Sequence, residues 1–207
     1  MQNIKAIIFD FGGVIFNIDF VSMNNAFSNL GVKHFEKIYS QKSADPLFQH
    51  LEEGKINEEE FYNAFRKFVN LQLADQQIKT AWNALLAGYR KNALQTLKKI
   101  KHKYALYLLS NTNSIHVQAF NKMYKEEVGE GSLEDYFDKV YYSHKIGYRK
   151  PDVPAYKYVL EENNLCPDET LFIDDSIQNI EAAKTLGLQT IFLKNGQQIE
   201  DFGLLDN

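Results

Sequence analysis

Four short segments set residues that can handle phosphate or a metal at the end of an apolar run or in a turn. They are Asp10 in IIFDFGG, Ser110 and Asn111 in LYLLSN, Lys150 in GYRKP, and Asp174 and Asp175 in LFIDD. Asp10 is the candidate nucleophile: a carboxylate at a strand end can attack phosphorus while the backbone N–H groups of Phe11 and Gly12 cradle the equatorial oxygens. A strand-ending Asp in a glycine turn looks the same locally. The Ser110 hydroxyl can donate to a phosphoryl oxygen, with the Asn111 N–H at a helix entry as a second donor; SNTNS equally suits a helix N-cap. Lys150, kept out of helical geometry by Pro151, would neutralise both nucleophile and phosphoryl charge, and Arg149 beside it is a competing candidate. Asp174 and Asp175 are costly to hold near a third carboxylate unless a cation neutralises them. Magnesium, which takes oxygen ligands and can add a phosphate oxygen, suits such a group. Asn179, one turn into the next helix, can steady that loop.

These residues lie far apart in sequence, so a fold must bring them together. Ile7–Phe9, Leu106–Leu109 and Leu171–Ile173 are continuous apolar runs of strand length, the pattern of strands buried on both faces of a parallel sheet. Ligands of open α/β sheets sit at the carboxyl edge, where each of these runs ends in a polar residue. Beyond Ser110, helices at 116–127, 153–163 and 177–186 alternate with strands at 139–143, 170–174 and 189–193. That rhythm predicts an α/β fold with a doubly wound parallel sheet.

A parallel crossover needs only a dozen or so residues including its helix, yet 99 residues separate Asp10 from Ser110. Something is inserted there. Gly12-Gly13 and VIFNIDF read as a turn or flap, and helical patterns follow at 21–30, 34–40, 46–53, 57–70, 75–87 and 93–101. Phe61, Phe65 and Phe68 fall at helical spacing and read as core. The division expected is a core of residues 1–16 and 93–207 with a helical insertion of residues 17–92.

The chain of 207 residues, 44% hydrophobic, is large enough for one core and a small accessory unit. Its net charge of −4 gives no basic field, which argues against nucleic acid as a partner. Lys98, Lys99, Lys101 and Lys103 read as a solvated helix end. The lone Cys166 excludes an internal disulfide and reads as filler before Pro167. MQNIKAIIFDFGG lacks a secretory h-region and no run approaches a membrane span, so a cytoplasmic protein with no membrane partner is expected. Oligomeric state is not readable.

FDFGGV, LLSNTN, GYRKPD and FIDDSIQNIEAAKTLG, in that order, resemble the four motifs of the haloacid dehalogenase-like hydrolase superfamily. The helical stretch between the first two is similar to the small cap inserted there. Within the superfamily the likeness is to sugar-phosphate phosphatases such as glucose-1-phosphate phosphatase, with similar wording around NIDF. The resemblance implies a Rossmann-like core and a magnesium-dependent phosphatase acting on a small phosphate ester. It implies that Asp10 forms an aspartyl-phosphate, that Ser110 binds phosphoryl oxygens, and that Lys150 stabilises nucleophile and intermediate. Asp175 would ligate magnesium with Asp10 and the Gly12 carbonyl, and Asp174 would ligate it directly or support it.

Gly12 departs from the pattern. Most phosphatases of this superfamily carry an Asp there as general acid and base, a contribution of typically about 10²–10⁴-fold. Asp19, otherwise a helix N-cap, or His50, otherwise a partly exposed helix residue, are candidates to supply the proton. Two other functions follow from the same residues: halide removal from a 2-haloacid, against which the Asp174–Asp175 pair argues, and a non-catalytic phospho-ligand-binding or regulatory protein, which Gly12 keeps open.

Overall fold

The structure, a computed structural model, describes residues 3–41, 43–194 and 196–204. The chain opens with β1 (Ala6–Phe9) and β2 (Phe16–Ile18) and then runs through five helices, α1 (Phe20–Asn29), α2 (Phe35–Ile38), α3 (Pro46–Glu52), α4 (Glu58–Val69) and α5 (Asp75–Asn83). It returns through β3 (Leu86–Tyr89), α6 (Lys91–Ile100), β4 (Ala105–Ser110) and α7 (Ser114–Glu127). The remainder is β5 (Lys139–Tyr142), α8 (Ser143–Ile146), α9 (Val153–Glu162), β6 (Thr170–Asp174), α10 (Ile177–Thr185) and β7 (Gln189–Phe192).

Five parallel strands form one sheet in the order β5-β4-β1-β6-β7, the doubly wound arrangement the alternating pattern predicts. β1 is central and buried on both faces. Its period-two alternation assigns Ile7 and Phe9 to one apolar cluster, with Leu94, Leu97, Phe120 and Tyr124 of α6 and α7. Ala6 and Ile8 belong to another, with Tyr156, Val159, Ile180 and Ala183 of α9 and α10. Each large side chain so buried contributes about 1.5–3 kcal/mol. Register then decides the site: Phe9 pairs with Leu108 of β4 and Ile173 of β6, so Asp10, Ser110 and Asp174 emerge at one edge.

The inserted helices enclose a third apolar cluster, dense in rings: Phe27, Phe35, Phe48, Phe61, Phe65 and Trp82. α4 is strongly specified. Asn57 and Glu60 form a reciprocal capping box, Glu58, Glu59 and Glu60 occupy the positive end of its dipole, and Arg66 and Lys67 the negative end. Phe68, expected in this core, is instead 47% exposed. The packed stripe follows Phe61, Phe65 and Val69 at intervals of four, which leaves Phe68 to one side.

Four other readings change. VIFNIDF contributes a strand, β2, which pairs antiparallel with β3 through Phe16–Tyr89 and Ile18–Leu86. The helix expected over 75–87 therefore ends at Asn83, because residues 86–89 find a strand partner some 70 positions upstream. The helix expected over 34–40 shortens to Phe35–Ile38, and Tyr39 is extended. Cys166 is exposed and fills no core. No helix among the described residues is long and apolar enough to cross a membrane.

The inserted helices meet the core at the start of α7. His116 is buried there with its ring stacked on Trp82, centroids 4.7 Å apart. Burial lowers its pKa to about 4, so the ring is neutral. Its Nε2 is 3.2 Å from the Trp82 carbonyl oxygen, to which it donates in the tautomer that leaves Nδ1 to accept from Asn113 Nδ2.

Candidate active site

Asp10 leaves β1 through a backbone bond to Ile173 and lies at the floor of a cavity of about 480 Å³ between the sheet edge and the inserted helices. Lys150 reaches it from the loop before α9. This lysine is 1% exposed; its Nζ donates to Asp10 Oδ1 at 2.6 Å and to Asp174 Oδ2 at 2.8 Å. The choice between the two adjacent basic residues is thereby made by geometry. Lys150 holds the carboxylates, while Arg149 turns to Glu52 of α3, with Nη2 and Nε at 2.9 and 3.0 Å from Oε2.

Carboxylate oxygens of Asp10, Asp174 and Asp175 all lie within 4.8 Å of one another. Burial, then the neighbouring Asp174 and Asp175, pushes the Asp10 carboxyl up to about 7 against the opposing pull of Lys150. Burial and Asp174 push Asp175 up to about 6. Burial works to lower the Lys150 ammonium, and the charges of Asp10 and Asp174 outweigh it and hold the ammonium above its ordinary value. Three clustered carboxylates, two of them bonded to the one ammonium, leave an excess of negative charge in a partly dry site. That donor set, all hard oxygens, fits a divalent cation such as magnesium.

The two acids of β6 are held differently. Asp174, fully buried, accepts from Lys150, from Asn179 Nδ2 at 2.9 and 3.1 Å and from the Ser176 N–H at 2.7 Å. Asn179 thus steadies this loop. Asp175 accepts from Gln41 Nε2 at 2.9 Å and faces the cavity. The close approach of the first loop depends on Gly13, at φ +73°. A Cβ there would stand 2.0 Å from Asp175 Oδ2.

Asn111 fixes the lysine loop by two bonds, its Nδ2 donating to the Lys150 carbonyl at 2.7 Å and its Oδ1 accepting from the Lys150 N–H at 2.8 Å. Asn111 and Gly12 line the cavity. Ser110 ends β4 at the same edge, 3% exposed and outside the cavity wall. The Phe11 side chain is in the core against Phe16 and Phe120, so only its backbone is offered to a ligand.

The two proton-donor candidates are placed elsewhere. Asp19 caps α1, accepting from the Ser22 N–H at 2.9 Å and the Ser22 hydroxyl at 2.6 Å, and those bonds lower its pKa. His50 is exposed and not part of the cavity wall. The inserted residues that do line the cavity include Tyr39, Gln41, Gln49 and Glu52. Gln41 and Gln49 carry no local signal, since neither titrates nor falls in a motif.

Residues 4–187 match the family of haloacid dehalogenase-like hydrolases, and the chain belongs to that family. It is 34% identical to D-ribitol-5-phosphate phosphatase of Bacteroides thetaiotaomicron over 194 residues, 93% of each chain. A sesquiterpene phosphatase of Aspergillus oryzae is 27% identical, with 91% of this chain and 89% of that one covered. Among solved structures, a haloacid dehalogenase family enzyme of B. thetaiotaomicron in complex with magnesium and inorganic phosphate superposes with a TM-score of 0.89 at 34% identity. That match covers 96% of this chain and 98% of the other.

Proposed function

We propose that the protein is a magnesium-dependent phosphatase that hydrolyses a sugar phosphate or similar small phosphate monoester through an aspartyl-phosphate on Asp10. The observation that carries this reading is the buried cluster at the sheet's carboxyl edge, with Lys150 Nζ between Asp10 and Asp174 and Asp175 alongside. The named relatives act on phosphate esters, one of them a pentitol phosphate.

Asp10 attacks phosphorus, the bond from phosphorus to the alcohol oxygen breaks, and the leaving alkoxide takes a proton from solvent water, whose hydroxide is neutralised by the proton released when water attacks in the second step. Water then attacks phosphorus of the acyl phosphate, releasing inorganic phosphate and restoring the carboxylate. Lys150 offsets the charge on Asp10 and on the phosphoryl oxygens in both steps. The N–H groups of Phe11, Gly12 and Asn111, with the Ser110 hydroxyl, are assigned to the phosphoryl oxygens. Asp10, Asp175 and the Gly12 carbonyl would hold magnesium, with Asp174 as a further ligand or as their support. Magnesium bound there supplies charge neutralisation and orientation of the phosphoryl group. Residues 17–92 act as a cap over a core of residues 1–16 and 93–207, excluding bulk water and contacting the alcohol part.

Three clustered carboxylates disfavour a haloacid substrate, itself a carboxylate, and no observation of this site favours that alternative. Phosphate release from a panel of sugar phosphates and nucleotides, with and without magnesium, tests the proposal. Metal-dependent turnover is the expected result. Absence of turnover by a folded, magnesium-binding protein would favour the regulatory reading instead.

A further inference from the structure

Glu52 ends α3, is 2% exposed, and yet forms part of the wall of the cavity that holds Asp10 and Lys150. A carboxylate so placed needs partners. Both Arg149 donors go to one oxygen, Oε2, while among the described residues Oε1 receives only the Tyr39 hydroxyl at 2.8 Å. A carboxylate offers about four lone-pair positions, so an acceptor position remains on Oε1. Tyr39 and Arg149 line the same cavity, together with Ser40, Gln41 and Gln49. This wall is polar and suits an alcohol rich in hydroxyls.

A purely structural role accounts poorly for the pair. The seam it crosses is already shut beside it, where Gly54 lies so close to the His144 carbonyl that a Cβ would stand 2.2 Å from the oxygen. Trp82 over His116 closes it again further along. Apolar packing generally serves as well as a buried ion pair for holding two surfaces together.

We infer that Glu52 is a specificity-determining residue: fixed by Arg149 and Tyr39, its carboxylate accepts a hydrogen bond from a hydroxyl of the leaving alcohol and selects polyol phosphates over phosphates of apolar alcohols. The inference rests on the phosphatase reading above. A hydrogen bond to a charged acceptor is worth a factor of about ten or more in discrimination.

The test compares kcat/KM for ribitol 5-phosphate with that for n-pentyl phosphate, a chain of equal length without hydroxyls, in the unaltered protein, Glu52→Gln and Tyr39→Phe. The unaltered protein should prefer the polyol ester, and Glu52→Gln should cut that preference about tenfold or more, chiefly through KM. Tyr39→Phe, which removes only the group fixing Oε1, should cut it in the same direction by less, and it serves if the Gln variant does not fold. Equal losses on both esters, or an unchanged preference in a folded variant, would overturn the inference while leaving the phosphatase reading intact. No turnover of either ester by the unaltered protein would remove both.

Discussion

Replacing Lys150 by Met should reveal how much of this protein's stability rests on charge balance at its active site. The lysine is 1% exposed and bonded to two carboxylates at 2.6 and 2.8 Å, so Lys150→Met leaves buried acids without their ammonium. Breaking such a pair costs about 3–5 kcal/mol. The carboxyls can escape part of that cost by taking up a proton, which gives the loss a pH dependence with a definite sign. Asp10 already has a folded pKa raised from 3.8 to about 7, so its protonation contributes stability that is full below 3.8 and lost as the pH rises through about 7. Without the ammonium that window moves upward, and the variant's deficit should be larger at pH 8 than at pH 6. Magnesium, bound to the folded state at a hundred times its Kd, should return about 2.7 kcal/mol. Urea unfolding of both proteins at the two pH values, with and without magnesium, measures all three quantities. A metal-free deficit at pH 8 below about 1 kcal/mol, or one equal at both pH values, would refute the claim that Lys150 balances the cluster.

Asp175→Asn should stabilise the metal-free protein above pH 6, since it removes a charge whose pKa is raised to about 6, and should abolish the stabilisation by magnesium; a thermal melt with and without the metal reads both. Gly13→Ala should lose magnesium response and most turnover, because its Cβ would displace the Asp175 carboxylate from 2.0 Å and φ is +73°; a magnesium titration of the folded variant checks it. A Cβ on Gly12 would stand 3.3 Å from Ile18 Cγ2, a tight contact, so Gly12→Asp should gain little alone. Combined with Ile18→Ala it should speed esters of poor leaving groups more than those of good ones, up to the roughly 10²-fold lower range of general acid catalysis, as a leaving-group series would record.

The sheet was legible because its central strands are buried on both faces, which writes them as unbroken apolar runs. For that reason the sequence pattern bounds Thr170–Asp174 to the residue. The chemistry at the strand ends was equally local, since Asp10 and the Asp174–Asp175 pair each follow such a run. What escaped was decided at a distance. Leu86–Tyr89 has a composition a helix accepts, and only Phe16–Ile18, across the insertion, makes it a strand. Phe68 has the right spacing and the wrong side of the stripe. Adjacent Arg149 and Lys150 could not be ranked from their own neighbourhood; Glu52, 97 positions away, and Asp10, 140 away, assign them. Gln41, bonded to Asp175 from 134 positions off, has no counterpart in any local pattern.

The central claim is that Asp10 becomes covalently phosphorylated, and peptide mass mapping after acid quench during turnover of a sugar phosphate with magnesium tests it most directly. The account predicts a phosphoryl adduct on the peptide containing Asp10, absent without magnesium and absent in Asp10→Asn, which should release no phosphate. Sustained phosphate release by Asp10→Asn, or an adduct at another residue, would contradict it.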